Sequence, residues 1–274
     1  MKTRRDVNLS KDYTKEDVIQ NKKQAIRILN KLLESLINDS SEQHLKKANL
    51  ISYWLKNFAN YIEFEESFSP SRLIRYSRGN VIRANLGFNI GKEMGGLHYA
   101  IVLDNDNKRN ADVITIIPLS STDGRMVHER NVDLGTELFE RVSIRQKNLL
   151  HAAQKELEDY LPIHNLFDSL TDAILKSDSQ DISEDLALID RQRVMLENKE
   201  KIVKRTISIL ESHSNEILKM KHGSMAVVNQ IRTISKQRIY IPKKSEDFLY
   251  NISLSAAAMD KINSKIKELF IFEK

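Results

Sequence analysis

The sequence contains no cysteine, and its glycines are confined to a small part of the chain. The lack of cysteine excludes disulfides, thiolate metal sites and cysteine nucleophiles. Seven of the eight glycines lie between Gly79 and Gly135, and the eighth is Gly223. Glycine favours tight turns and positive φ angles, whereas long helices avoid it. The distribution therefore predicts a β-rich unit at 78–135 that resumes at 223, after a helical insertion.

Long hydrophobic runs are also missing from the chain of 274 residues, of which 41% are hydrophobic and 30% charged. Apolar stretches such as 113–119 are too short to span a bilayer. The start, MKTRRDVNLSKDY, has basic residues with no apolar stretch behind them, so it does not resemble a signal peptide. We expect a cytoplasmic protein without membrane contact.

Motifs for metals and nucleotides are absent too. The six histidines other than His98 form no HExxH motif and no closely spaced set of metal ligands. The sequence also contains no GxxxxGK[ST] phosphate loop. We therefore expect neither a metal nor another cofactor. The net charge is +5, from 43 Lys and Arg against 38 Asp and Glu, which suits an anionic partner. Many helical proteins without a nucleic-acid role are equally basic, so the charge alone does not identify that partner.

Helical periodicity dominates both sides of the glycine-rich window. Apolar residues recur at helical spacing in 14–38 and 41–62, which predicts an N-terminal helical hairpin. Thr14 followed by Asp17 is typical of a helix start. A third region, 245–270, has the same spacing and is expected to form a C-terminal helix.

The insertion itself, 136–222, predicts a first helix over 138–161 that ends at Pro162, and a long helix with a heptad pattern from Ile182 to Ile217. Polar residues replace apolar ones at three core positions of that pattern: Arg193, Glu200 and Ser214. This favours an antiparallel pairing with the 138–161 helix over a dimeric coiled coil, which stays the alternative.

Strand signals appear only in the glycine-rich region. Stretches rich in β-branched residues occur at 81–86, 99–103 and 113–119, and 131–134 alternates polar and apolar residues. Their sequences, in order, include RGNVIRANL, GGLHYAIVL, VITIIPLSS and, after the insertion, NQIRTISKQRI. This ordered set resembles the PemK/MazF family of toxins from type II toxin–antitoxin systems.

The resemblance implies an α+β fold: an SH3-like β-barrel split by a long helical or coiled-coil insertion, with an N-terminal helical hairpin. The expected domains are the hairpin at 1–77, the barrel with its C-terminal helix at 78–135 and 223–274, and the insertion at 136–222. We expect the insertion to leave and re-enter the barrel at adjacent strand ends.

The resemblance also implies a function. Members of the family are metal-independent endoribonucleases that cleave single-stranded RNA by attack of the ribose 2′-hydroxyl, which leaves a cyclic phosphate. They act as homodimers and are blocked by a cognate antitoxin. The resemblance therefore implies RNA, an antitoxin and a second copy of the chain as partners.

Two residues match the family's catalytic positions. His98 stands where the family has the arginine of its GGxRP motif, and imidazole, unlike guanidinium, exchanges protons near neutral pH. Ser120 matches the threonine of PLTS and keeps the hydroxyl. Alternatively, His98 caps or packs beside a strand and Ser120 forms a turn.

Three further residues match positions near the family's RNA groove: Lys92, Gln230 and Arg232. Each is expected to bind RNA phosphates. The alternatives are a solvated loop lysine at 92 and a structural role for Arg232, either as an ion pair or as a brace for the loop 87–96.

Some family members carry an arginine and an aspartate as acid and base on the strand before QIRTI. Val227 and Asn229 occupy those positions here. The second functional hypothesis is therefore a catalytically inactive barrel that binds RNA or a protein, or a toxin that poisons gyrase. Incubation with RNA in EDTA discriminates between the nuclease and the binding module. The nuclease cleaves the RNA without a metal ion, whereas the module binds it and leaves it intact.

Overall fold

The computed structural model describes residues 13–122, 124, 126–176, 183–218 and 220–271. The interpretation of the first twelve residues and the heptad position Ile182 lie outside these ranges. The described chain forms two compact units that separate between Glu66 and Ser67. Residues 67–77 are thus grouped with the sheet that follows them.

The first unit is the helical hairpin, made of α1 (Lys15–Ile37) and α2 (Glu42–Glu65). Thr14 caps α1 as the sequence predicts. Its hydroxyl accepts the backbone N–H of Asp17 at 3.2 Å, and the Asp17 carboxylate accepts the N–H of Thr14 at 3.1 Å. The hairpin buries Leu36, Ala48 and Ile51. The two helices lie at the stretches for which the sequence predicts helices.

The second unit is built on seven antiparallel strands. In chain order they are β1 (Val81–Asn85), β2 (Leu97–Val102), β3 (Val113–Ser121), β4 (Val132–Gly135), β5 (Ser224–Ala226), β6 (Arg232–Ser235) and β7 (Ile239–Ile241). The strand order is β4-β5-β3-β2-β1-β7, and β6 pairs with the first half of β3. The α+β class is confirmed. Among the described strands, β4 pairs only with β5 and β7 only with β1, so the sheet does not close into a barrel.

Both faces of this sheet are buried. Successive side chains of a strand point to opposite faces, yet Val81 and Ile82 are both 0% exposed. Val81 packs in one hydrophobic cluster with residues of the insertion and the C-terminal helix, and Ile82 packs in a second cluster with residues of β2, β3 and β6. The apolar, β-branched sequence of the strands follows from this double burial.

The insertion begins and ends at neighbouring strands. Gly135, the last residue of β4, pairs with Ser224, the first residue of β5. The chain therefore leaves the sheet and returns to it at one place, as the sequence predicts.

Between these points lie α3 (Glu137–Glu158), α4 (Tyr160–Leu175) and α5 (Ser183–Leu218). The Gln146 side chain donates to the backbone carbonyl of Leu210, and farther along the pair His164 Nε2 lies 3.2 Å from a carboxylate oxygen of Glu200. Residues later in the chain along α3 and α4 therefore contact residues earlier in α5. The antiparallel pairing is confirmed, and we call α3, α4 and α5 together the arm.

Two helix boundaries differ from the prediction. Pro162 does not end a helix but lies in the first turn of α4. Proline is tolerated there because the N–H groups of the first turn have no partner within the helix.

The C-terminal helix α6 (Ala256–Phe270) begins at Ser255, not at 245. The segment before it bonds to the start of β1 instead: Val81 donates to the carbonyl of Ile252 at 2.8 Å, and Leu254 donates to that of Gly79 at 3.0 Å. The apolar residues of this segment are therefore buried by the sheet and not along a helix face.

Candidate functional site

A cavity of about 270 Å³ opens where β2, the end of β3 and the segment 220–224 meet. Apolar side chains of Leu97, Leu138 and Met220 line part of it. The polar lining includes five residues: His98, Ser120, Ser121, Lys221 and Ser224. The cavity thus combines an imidazole, hydroxyls and a cation with apolar walls, which is the usual composition of a small ligand site.

His98 enters the cavity from β2, where it pairs with Ala84 of β1 and is half-buried. Its ring Nδ1 lies 3.1 Å from the backbone carbonyl oxygen of Leu119. A carbonyl oxygen only accepts hydrogen bonds, so Nδ1 carries the hydrogen. The neutral ring then has its lone pair on Nε2, and that nitrogen is able to accept a proton.

Ser120 reaches the same cavity from β3. The ladder between β2 and β3 pairs Ala100 with Pro118, and continuing it by two residues sets His98 opposite Ser120. Residues directly opposite in an antiparallel pair share a face of the sheet. The fold therefore brings together the two residues that the sequence analysis assigns to catalysis.

Ser224 is a cavity residue that the sequence analysis missed. It pairs with Ser121 of β3, is only 5% exposed, and its hydroxyl has no hydrogen-bond partner among the described residues. Leaving a buried hydroxyl unpartnered costs about 1–3 kcal/mol.

Lys221 is the second residue that the sequence analysis missed. It is exposed, lines the cavity and lies between the end of α5 and the start of β5. The sequence does contain a signal for it, because 220–244 holds six Lys and Arg and no Asp or Glu. A stretch with cations alone indicates an anionic partner.

The loop 86–96 between β1 and β2 is held by its own backbone. Leu86 donates to the carbonyl of Gly96 at 2.7 Å, and Gly96 donates to that of Gly87 at 2.6 Å. A Cβ atom at Gly95 would lie 2.5 Å from the Gly87 carbonyl oxygen, so only glycine fits there. Lys92 is exposed in this loop.

Gln230 and Arg232 tie the same loop to β6. Arg232 donates through Nη1 to the carbonyl of Met94 at 3.0 Å and through Nη2 to the side-chain oxygen of Gln230 at 2.8 Å. That Gln230 oxygen also accepts the Met94 N–H at 3.2 Å. The loop brace considered for Arg232 is therefore present. Lys92, Gln230 and Arg232 are not among the residues that line the cavity.

Two further searches bear on the site. No group of three or more His, Cys, Asp or Glu side chains is placed to hold a metal ion among the described residues. Likewise, no helix in the described part of the chain is long and apolar enough to cross a membrane.

The segment from β1 into α3, which carries His98 and Ser120, is similar to a known family. Residues 77–154 match the PemK-like, MazF-like toxin family of type II toxin–antitoxin systems. The toxin-family match covers β1 to β4 and most of α3. It ends before the segment that contributes Lys221, Ser224, Gln230 and Arg232. No curated protein matches the chain.

Proposed function

We propose that this protein is the toxin of a type II toxin–antitoxin system and cleaves single-stranded RNA without a metal ion. The observation that carries the proposal is the cavity in which His98 and Ser120 lie together, within the segment matched to the toxin family. In this proposal the sheet is an open relative of an SH3-like barrel, assembled from 78–135 and 223–274 and interrupted by 136–222.

The proposed reaction is an internal phosphoryl transfer. The ribose 2′-oxygen attacks the adjacent phosphorus and gives up its proton to Nε2 of His98, while the bond from phosphorus to the 5′-oxygen breaks. The 5′-oxygen takes a proton from the imidazolium or from water. The products are a 2′,3′-cyclic phosphate and a 5′-hydroxyl, so atoms and charges balance without an added reactant.

The remaining cavity residues stabilise the charge of the pentavalent phosphorus in this proposal. Lys221 contributes a positive charge, and the hydroxyls of Ser120 and Ser224 donate to phosphate oxygens. Lys221 compensates for the arginine that the resemblance leads one to expect where His98 stands. Lys92 contacts a phosphate farther along the strand, and Gln230 and Arg232 act mainly by holding the loop that carries Lys92.

The proposal includes the partners that the family implies: a cognate antitoxin, a second copy of the chain in a homodimer, and a cytoplasmic location. The N-terminal hairpin is assigned no chemistry, and Lys221 is the one residue of the insertion that is assigned any.

The test is an incubation of the full chain with a mixed-sequence single-stranded RNA in EDTA, with end-group analysis of the fragments. We expect discrete fragments that carry cyclic phosphate and 5′-hydroxyl ends. The matched control is His98→Ala, which removes the proposed base. Intact RNA that still binds the protein would support the inactive binding module instead, and intact RNA with inhibited gyrase would support the gyrase-poisoning toxin.

A further inference from the structure

Positive charge is concentrated in the two segments that form β1 and β5 to β7. Residues 67–92 and 220–244 contain eleven Lys and Arg and no Asp or Glu. The other 223 residues contain 32 Lys and Arg against 38 Asp and Glu, so the rest of the chain is net acidic. Such a separation directs anions toward the strands that carry the cations.

Backbone carbonyls hold several of these cations, although Arg75 pairs with Asp106 at 3.2 Å and Asp104 and Asp112 lie near Lys236. Arg78 donates to the backbone carbonyl of Leu103, Arg232 to that of Met94, and the buried Lys236 to those of Lys108 and Arg109. A neutral carbonyl orients a cation but does not cancel its charge. These strands therefore keep a positive field.

Within this region, two tyrosine rings flank one guanidinium. The centre of the Arg83 guanidinium lies 5.6 Å from the centroid of the Tyr99 ring and 5.8 Å from that of Tyr240. Tyr99 is on β2, Arg83 on β1 and Tyr240 on β7, which are consecutive strands of the sheet. The three planar groups thus form a row across the sheet, at a distance typical of cation–π contacts.

A β-bulge places Tyr240 in this row. Arg83 pairs with Ile241 and the next residue, Ala84, pairs with Ile239, so Tyr240 is an extra residue of β7. Bulges commonly redirect a side chain. Tyr240 remains 58% exposed, so its ring gains little from burial. At the other end of the row, Tyr99 is among the residues that line the cavity, although it lies on the opposite face of β2 from its neighbour His98.

We propose that Tyr99, Arg83 and Tyr240 form a stacking track for the unpaired bases of single-stranded RNA that passes through the cavity. Every base has a flat π-face, so aromatic rings and guanidinium planes bind single strands of any sequence. The surrounding cations attract the phosphates, which gives the track the charge that RNA requires. The track rests on the proposed function for the identity of its ligand, but it acts in binding and not in bond cleavage.

The test measures binding without cleavage. A fluorescent 2′-O-methyl oligonucleotide of mixed sequence cannot be cut by attack of a 2′-hydroxyl, and fluorescence anisotropy with the full chain gives its Kd. We expect Tyr240→Ala to raise the Kd by on the order of tenfold, since one base loses the ring on which it stacks. Tyr240→Phe keeps the ring and should bind like the parent. Arg83→Lys keeps the charge and loses the plane, so it should also bind less tightly.

The control is Tyr53→Ala. Tyr53 is 56% exposed and has the Lys56 ammonium 4.3 Å from its ring centroid, so it matches Tyr240 in exposure and in having a cationic neighbour, but lies in the hairpin. Its removal should leave the Kd unchanged, and circular dichroism should show that all variants fold. Equal Kd values for Tyr240→Ala and the parent would overturn the track. If Tyr240→Ala also binds an oligoglutamate peptide less tightly than the parent does, that result would assign the surface to an acidic protein segment instead.

These outcomes are separable from those of the cleavage assay. If RNA is not cut but Tyr240→Ala weakens binding of the oligonucleotide, the track stands and the nuclease proposal fails. If RNA is cut and Tyr240→Ala binds like the parent, the nuclease stands and the track fails.

Discussion

Glu137, in the first turn of α3, accepts hydrogen bonds from Ser255, the residue that caps α6. The Ser255 hydroxyl donates to one carboxylate oxygen at 2.9 Å, and its backbone N–H donates to the other. Arg141, one turn later in α3, donates to that second oxygen at 2.8 Å. One carboxylate thus joins the start of the arm to the start of the C-terminal helix.

Replacing Glu137 with alanine should lower the free energy of unfolding by about 1.5–3 kcal/mol, the range for hydrogen bonds to a charged group. The loss follows from two Ser255 donors that no longer have an acceptor. Urea unfolding followed by circular dichroism measures it. Glu158→Ala, which removes an exposed carboxylate at the end of the same helix, is the control and should change little.

The same carboxylate predicts a pH dependence. Burial acts to raise the pKa of Glu137, but the hydrogen bonds from Ser255 and Arg141 outweigh it, so the pKa lies below its ordinary value. A lowered pKa in the folded state stabilises the protein above the unfolded pKa of about 4.3. That contribution is lost as the pH falls through the folded pKa. The stability gap between the parent and Glu137→Gln should therefore shrink in acid, and a gap that stays constant down to low pH would contradict the assignment.

His98→Ala should reduce the rate of RNA cleavage by about 10²–10⁴-fold, the usual contribution of a general acid or base. Ser120→Ala should reduce it less, because in the proposed reaction Ser120 only stabilises charge. Single-turnover cleavage in EDTA provides the rates. His151→Ala, at an exposed position on α3, is the control and should cleave at the parent rate. An unchanged rate for His98→Ala would move the reaction away from the cavity.

Gln230→Ala should loosen the loop 86–96. Its side-chain oxygen accepts from both Met94 and Arg232, so two donors lose their acceptor at once. Hydrogen exchange of peptides from the loop should become faster, by up to about tenfold for the loss of one typical hydrogen bond. Asn229→Ala, at the exposed neighbouring position, should leave exchange as in the parent. Equal exchange in both variants would show that the brace does not hold the loop.

Arg193→Leu should stabilise the arm. Arg193 donates to Asp168 at 3.0 Å, but Asp168 is mostly exposed, and the Arg193 Nε is buried without a hydrogen-bond partner in the described structure. An exposed ion pair contributes little, whereas an apolar side chain at this heptad position buries well. We expect the free energy of unfolding, measured by thermal unfolding, to increase by about 1 kcal/mol. Arg191→Leu, at an exposed position of the same helix, should give no such gain.

Much of the fold follows from local sequence. Thr14 and Asp17 fix the start of α1 because a cap is formed within one turn. The start of α6 could not be found in this way. The apolar residues of 245–254 have helical spacing, but their backbone groups bond to Gly79 and Val81. The conformation of this segment depends on hydrogen bonds to residues far away in the chain, and the spacing of apolar residues contains no information about them.

The candidate site likewise contains residues that local motifs predict and residues that depend on distant contacts. His98 and Ser120 lie in motifs that can be compared with a family, so the sequence predicts both as site residues, and both line the cavity. Lys221 and Ser224 reach the cavity only through the pairing of β3 with β5, across the whole insertion. The sequence leaves open whether Arg232 binds phosphate or braces the loop, and its distances to Met94 and Gln230 show the loop contact.

The return of the insertion to its own point of departure has a consequence for the cavity. Leu138, two residues inside the outgoing helix, and Met220 and Lys221, on the returning segment, all line it. A shortened chain that joined β4 directly to β5 would preserve the strand pairing at Gly135 and Ser224 but lose these three side chains. The arm is therefore part of the enclosure around His98, and a bend of the arm at its base would change the size and charge of that enclosure.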